Sequence, residues 1–322
     1  MKGAKALAAE LAQVEAGTIS ARDAILATLR KGLAAPLQSL VVSAARLAGQ
    51  LGMKEVEPSL CAAFDDWAGE HDEDDKQCLA KIAIVKALQA LELPRGDIFL
   101  RGARIIGTSF AGNPDDASEL RVACASALAD IADRDAQEML IQLLTDSAAN
   151  VRAMAVRCLG SLPVVGMLFL LRFKVLIGDT EPAVIEECFT ALLTTDAERS
   201  VSFVGDYLRS PDDGVRTSAA IALGESRLAA AGQLLIDRFQ REGDADFRAT
   251  LLHALALQRQ EPATRFILSV IEEGTADADN ALRALAPYKA LSAIRDQVEE
   301  AVRKSQRKEL QELFRRKFRS EG

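Results

Sequence analysis

A phrase of a little over thirty residues recurs along this chain, and that recurrence limits the possible folds more than any single motif does. Its clearest copy runs from Ser210 to Glu225 and reads SPDDGVRTSAAIALGE. Pro211 and the two aspartates that follow form a turn and offer a helix cap. Val215, Ala219, Ala222 and Leu223 then recur at helical spacing on one face lined with small residues. The pattern is an apolar residue, an arginine, a small or apolar residue four positions on, and a small-Leu pair at seven and eight. It returns at Leu120-Arg121-Cys124-Ala127-Leu128, Val151-Arg152-Ala155-Cys158-Leu159 and Phe247-Arg248-Leu251-Ala254-Leu255. Val184-Cys188-Ala191-Leu192 fits as well, with Ile185 in the arginine position. Successive starts are 31, 33, 31 and 32 residues apart, which predicts an all-α array of helical hairpins rather than one globular core.

The 322 residues would ordinarily suggest two domains, but an array lengthens by stacking, so a single elongated domain over 1–322 is expected. Aromatics are only 5% of the chain while alanine is abundant, a composition suited to helices packed closely on small side chains and poor for sheets. The net charge of −8 opposes broad affinity for nucleic acid. The charge is nevertheless uneven: residues 303–319 carry eight Lys or Arg against two Glu, a local +6 beside −14 elsewhere. Five cysteines, Cys61, Cys78, Cys124, Cys158 and Cys188, form no close pair, and three fall on inward repeat positions, as reduced buried thiols would. Glu10 and Glu15 interrupt any signal-peptide core after Lys2 and Lys5. The greasy run Leu162–Ile177 is 16 residues long and holds Arg172 and Lys174, so it reads as a buried array helix and not a membrane span. A cytoplasmic location follows as the expectation.

Taken in order, residues 3–15 and 20–31 read as two helices broken near Gly17 and Gly32, and 1–35 serves as an N-terminal capping pair. Residues 36–290 hold the repeats, opening with Pro36–Leu51, whose Leu40, Ala44, Leu47 and Ala48 point inward, and its partner Pro58–Trp67. Asp65–Asp75 carries seven carboxylates without the ligand spacing or central glycine of a calcium loop, and is expected to be a solvated loop. Gln77–Leu91 restores the pattern with Ile84, Ala87 and Leu88. Gly96–Pro114, with Ile98, Phe99, Ile105, Ile106 and Phe110, should hold a helix and a longer connection. From Glu119 each hairpin has a turn aspartate (Asp146, Asp179, Asp212, Asp244), the arginine-bearing helix and a partner helix. A last copy, Asp277-Ala281-Ala284-Leu285, stops at Pro287. Residues 291–322 form a basic closing cap, read as one long helix from about Ser292 to Phe318.

The form D-x-x-V-R-x-x-A-x-x-A-L-G, present from Asp212 to Gly224 and, after Asn150, from Val151 to Gly160, resembles HEAT repeats. The short period is most similar to the HEAT-like subtype of phycobilisome lyases. The tetratricopeptide and ankyrin phrases are missing. The resemblance implies a right-handed α-α superhelix, a solenoid of about eight hairpins, with the arginine-bearing helices lining its concave side.

Stacking should bring one hairpin's arginine to its neighbour's turn aspartate, so Arg121, Arg152, Arg216 and Arg248 are expected to form a structural ladder that fixes register. Counting the apolar residue as slot zero, slots three, six and ten face away from the core. The expected partner-binding residues on this surface are Ser126, Met154, Arg157, Glu187, Thr190, Ser218, Ile221 and His253. They make a mixed, nearly neutral surface that suits a docked protein or peptide and suits a phosphate backbone poorly.

Only two histidines, His71 and His253, occur, and neither is followed by glutamate. That opposes resemblance to the HEAT-repeat di-iron hydroxylases of deoxyhypusine, which hold metal with His-Glu pairs. One Trp and two Tyr oppose the alkylpurine DNA glycosylases, whose concave face is basic and aromatic. Phosphate-binding glycine loops, nucleophile elbows and spaced metal ligands do not appear, so no catalytic residue, cofactor or metal site is expected. The leading expectation is a non-enzymatic adaptor for a protein or peptide. Two alternatives are a phycobilin-lyase-like enzyme or chaperone, and contact with anionic lipid or nucleic acid through Arg303, Lys304, Arg307, Lys308, Arg315, Arg316, Lys317 and Arg319.

Overall fold

A computed structural model describes residues 2–107 and 116–318, so the expectations placed on Phe110, Pro114 and Arg319 lie outside the described residues. Among the described residues every regular element is helical, and the fold is an α-solenoid of stacked hairpins. The chain divides into two compact units, Met1–Pro163 and Val164–Gly322.

The first unit contains α1 (Lys2–Glu15), α2 (Arg22–Leu33), α3 (Gln38–Gln50), α4 (Glu57–Trp67), α5 (Leu79–Ala90), α6 (Gly96–Gly102), α7 (Ser118–Ile131), α8 (Arg134–Leu143) and α9 (Ala149–Ser161). Helices α3, α5, α7 and α9 lie side by side as one layer, and α2, α4, α6 and α8 pack against them. The predicted inward residues of α3 and α5 are buried, as are all five inward slots of α7 and α9. Gly17 ends the α1 region with φ +73°, as expected of a glycine at a helix exit. Gly32 does not break α2. It lies inside the helix, where a Cβ would come 2.7 Å from the Ala44 side chain, so its role is close approach to α3.

The acidic segment departs further from expectation. Asp75 is buried and accepts from the Ala80 and Lys81 amides at 2.8 and 3.2 Å, capping α5, while Gln38 Nε2 donates to it at 2.8 Å. Lys81 is fully buried, and its Nζ lies 3.1 Å from Asp75, donates to Asp72 at 2.7 Å and to the Trp67 carbonyl at 2.9 Å. Burial alone would depress the Lys81 pKa, but the hydrogen bond it donates to Asp72 and the charge of Asp75 more than offset it and leave it raised. The segment is thus a buried ionic staple between α4 and α5, entered through the left-handed residues Gln77 and Cys78.

The second unit contains α10 (Val165–Ile177), α11 (Pro182–Thr195), α12 (Ala197–Asp206), α13 (Asp213–Ser226), α14 (Ala229–Arg241), α15 (Ala245–Gln258), α16 (Glu261–Glu273), α17 (Ala278–Leu285), α18 (Ser292–Ser305) and α19 (Lys308–Phe318). Helices α11, α13, α15 and α17 form its close-packed layer, and α19 closes on α17. Asp212 and Asp244 accept from the Val215 and Asp246 amides at 3.0 Å each, the N-caps that the turn aspartates promised. Slot twelve carries the helix exit in three copies: Ala132, Arg227 and Arg259 all sit at φ between 50° and 54°. Gly224 in α13 runs against the backbone of Ala254 in α15, where an added Cβ would meet the Ala254 carbonyl oxygen at 2.5 Å.

Two expectations fail here. The closing cap is two helices, because Gln306 turns left-handed at φ 57°. Val298 and Val302 of the first and Leu310, Leu313 and Phe318 of the second are buried. Helix α10 is not a buried array helix: Phe169, Phe173, Leu176 and Ile177 are 57–69% exposed. Among the described residues no helix is long and apolar enough to cross a membrane.

Candidate partner-binding faces

The arginine ladder explains how the layers keep register. Arg121 makes a two-pronged pair with Asp146, Nε to Oδ2 and Nη2 to Oδ1 at 2.8 Å each, and donates to the Ile105 carbonyl at 3.0 Å. Arg216 reaches Asp244 at 3.0 Å, and Arg248 reaches Asp277 at 2.5 and 3.0 Å. The same guanidinium of Arg248 donates to the Phe239 and Glu242 carbonyls that end the preceding helix, at 2.8 and 3.1 Å. One planar fork therefore satisfies orphan carbonyls and a neighbour's turn carboxylate together. Arg152 donates to the Asp146 and Ser147 carbonyls at 2.8 and 3.0 Å, while Lys174 pairs with Asp179 at 2.8 Å. Ile185, where the arginine is replaced, is buried. The sequence pattern missed one arginine-slot residue: Ala80-Lys81-Ile84-Ala87-Leu88 repeats the phrase with lysine, and that Lys81 turns back to its own turn aspartate.

With register fixed, adjacent helices also meet through contacts that join slots two or three apart. Slot-seven Cys158 Sγ contacts the slot-five Ala125 carbonyl at 3.4 Å, and slot-eleven Gln258 Nε2 donates to the slot-eight Leu223 carbonyl at 2.5 Å. In the first unit Arg157 is exposed and Met154 half-buried on α9. Ser126 on α7 is half-buried and is held by Gln89 of α5, whose Nε2 donates to Ser126 Oγ at 3.1 Å and to Asp130 at 2.7 Å.

In the second unit the slot-six residues Thr190 (α11), Ile221 (α13) and His253 (α15) form a row, half-buried at the first two and exposed at His253. Glu187 is half-buried beside Thr190. Ser218 does not belong to this surface. It is 3% exposed because the start of α11 covers it, and its Oγ donates to the Pro182 carbonyl at 3.2 Å. Next to it, burial pushes the Glu186 carboxyl up, a Ser218 hydrogen bond opposes the rise, and the charges of Glu225 and Glu187 add to it. Glu225, which adds to that rise, is itself exposed.

The remaining chemistry-bearing side chains are used within the fold. Cys78, Cys124, Cys158 and Cys188 are buried, Cys61 is half-buried, and all five are free thiols. Burial pushes Cys78 and Cys158 up to about 11, Cys188 to about 12 and Cys124 higher still. Among the described residues no three His, Cys, Asp or Glu side chains gather closely enough to hold a metal. The basic terminal stretch is partly paired. Arg303 meets Glu300, Lys304 meets Glu272 at 3.0 Å, and Arg307 donates to the Gly274 and Thr275 carbonyls at 3.0 and 3.2 Å.

The family model described as HEAT repeats matches residues 111–166 and 170–256. No curated protein matches the chain. Among solved structures, an engineered protein is similar at 18% identity over 96% of this chain and 90% of its own, with a TM-score of 0.38. The complex of CpcE and CpcF of phycocyanin lyase from Nostoc sp. PCC7120 is similar at 20% identity over 87% of this chain and 93% of that one, with a TM-score of 0.34.

Proposed function

We propose that this chain, a HEAT-repeat protein, is a non-enzymatic scaffold that holds a protein partner against the exposed faces of its arginine-bearing helices. One observation supports the reading: Thr190, Ile221 and His253 hold the same slot on three successive, closely packed helices, half-buried at the first two and exposed at the third. A rigid, spaced row matches the i, i+3/i+4, i+7 anchors of a docked helix or the extended run of a peptide. The exposed Glu225 carboxylate near it favours a partner segment that carries Lys or Arg beside its apolar anchors.

Met154 and Arg157 on α9, with Ser126 on α7, are the corresponding face of the first unit. The partner, on this reading, is a protein in the compartment where the chain resides, taken to be the cytoplasm. The test is affinity capture from the native cell with quantitative mass spectrometry, comparing the wild-type chain with a Thr190→Arg/Ile221→Arg variant. Loss of a discrete set of captured proteins, with the helical circular dichroism spectrum unchanged, supports the assignment. An identical captured set would move the binding face elsewhere.

A further inference from the structure

The least conventional surface of the molecule lies on α10. A helix of a stacked array ordinarily buries one stripe and shows water a polar back. The outer sides of α8 and α12 are mostly polar: Arg134, Asp135 and Glu138 on α8, beside Ile141, and Glu198, Arg199 and Ser202 on α12 are exposed. On α10 Leu171 and Val175 supply the buried stripe, yet Phe169, Phe173, Leu176 and Ile177 are 68%, 57%, 69% and 60% exposed on the other side. Both cations of α10 are engaged within the second unit. Lys174 pairs with Asp179 at 2.8 Å, and Arg172 donates to the Arg199 carbonyl at 2.6 Å with its guanidinium 5.0 Å from the Phe203 ring centre. The exposed stripe is therefore uncharged.

We propose that α10 is a self-association face, pairing antiparallel with α10 of a second copy of this chain about a two-fold axis. The spacing of the stripe supports this occupant. Gly166, Phe169, Phe173 and Leu176 are separated by three, four and three residues, the period of a helix-helix seam. That order is its own antiparallel complement: when Phe169 of one copy faces Phe173 of the other, Gly166 falls opposite Leu176, and the reverse holds at the far end. Nothing lies within 4 Å of where a Gly166 side chain would begin, so the glycine leaves room for the partner's leucine. An isologous contact of this kind closes on itself and does not propagate into fibres.

The area fits as well. The four exposed side chains offer on the order of 450 Å² of apolar surface per chain. Two copies together hide at most roughly 900 Å², within the class of weak, reversible contacts below about 1,200 Å². A membrane-surface role would want free Lys or Arg along the margins of the stripe, and the two cations of α10 are turned to other partners.

The decisive experiment is sedimentation velocity on the full chain from sub-micromolar to about 100 μM. The expected result is a monomer-dimer equilibrium, weakened at least about tenfold by Phe173→Glu and equally by Phe169→Glu, because the two positions face each other. Both side chains are exposed in the monomer, so melting curves should be unchanged, and this separates lost pairing from lost folding. Register is read by oxidative cross-linking. Gly166→Cys mixed with Leu176→Cys should cross-link between copies, whereas Gly166→Cys alone should not, since its two copies lie about 15 Å apart along the helix axes. A chain that stays monomeric throughout overturns the proposal. So does a dimer indifferent to Phe173→Glu, Gly166→Cys cross-linking as readily alone, or a monomer that floats with anionic vesicles through this stripe. None of these outcomes touches the Thr190-Ile221-His253 row, which lies on other helices.

Discussion

Removing one charge from the ladder should have very different consequences at two of its rungs. The Arg121 and Asp146 side chains are 2% and 11% exposed, whereas those of Arg216 and Asp244 are 17% and 44% exposed. At the first rung, Asp146→Asn preserves size and one acceptor oxygen but leaves a guanidinium shielded from water with no countercharge from Asp146. Breaking such a pair costs about 3–5 kcal/mol. At the second rung, Asp244 is open to water and Arg216 keeps Asp213 at 2.9 Å, so Asp244→Asn should cost under about 1 kcal/mol, with asparagine still capping the helix. With a urea slope of about 2 kcal/mol/M, the first change moves the unfolding midpoint of its unit down by roughly 1.5–2.5 M and the second by less than about 0.5 M. Urea titration followed by circular dichroism gives the shifts, and hydrogen exchange in α7 and α9 localises the first. The double variant Arg121→Met/Asp146→Asn should recover part of the loss, because the buried charge is then gone. Equal shifts for the two single variants, or no recovery in the double, would refute the argument that burial sets the worth of each rung.

Lys81→Met should lower the stability of the first unit by about 3–5 kcal/mol at neutral pH, because Asp75 is left buried without its cation. Since the folded pKa of Lys81 is raised, its contribution is complete below the ordinary lysine value of about 10.4 and disappears as pH climbs through the folded value, so the wild-type chain should lose this increment only in strong alkali and the variant should lack that loss. Gly224→Ala gains about 1 kcal/mol of helix propensity but drives a methyl into the Ala254 carbonyl. Overpacking of about 1–3 kcal/mol against backbone that cannot yield makes the net effect destabilising, measurable by thermal melting. Leu223→Asp and Leu159→Asp should each disrupt their unit through an unpaired buried charge, seen as lost helical signal. At pH 8 a thiol reagent should label Cys61 well ahead of the other four cysteines, whose buried thiols stay protonated; full labelling of all five should require denaturant.

The arginine-bearing helices were legible in the sequence because their apolar slots recur every 31 to 33 residues and a turn aspartate stands three or five residues before slot zero in the copies that start at 151, 184, 215 and 247. The rungs Arg121–Asp146, Arg216–Asp244 and Arg248–Asp277 followed from the same phrase. Lys81 escaped because the pattern demanded arginine, and admitting either cation at slot one would have found it along with its buried aspartate. Helix α10 could not be oriented from periodicity, since apolar residues occupy every side of it and only the packing shows which are covered. Ser218 was misplaced because slot assignments ignore the neighbouring helix, and the start of α11 at Pro182 covers it. The break at Gln306 carries no glycine or proline, so the sequence offered no stop signal there. On the candidate face, Glu187 and the slot-six residues were named from the sequence, whereas Glu186 emerges only from its half-burial against Ser218.

The claim on which the functional account rests is that one row, spread over three helices, touches one partner. Site-specific photo-cross-linking in the native cell addresses it, with a benzophenone side chain placed in turn at Thr190, Ile221 and His253, and at the outer position Glu198 on α12 as a control. The account predicts the same protein adduct from all three row positions and none from Glu198. Adducts that appear only from the outer position, or different adducts from each row position, would contradict it.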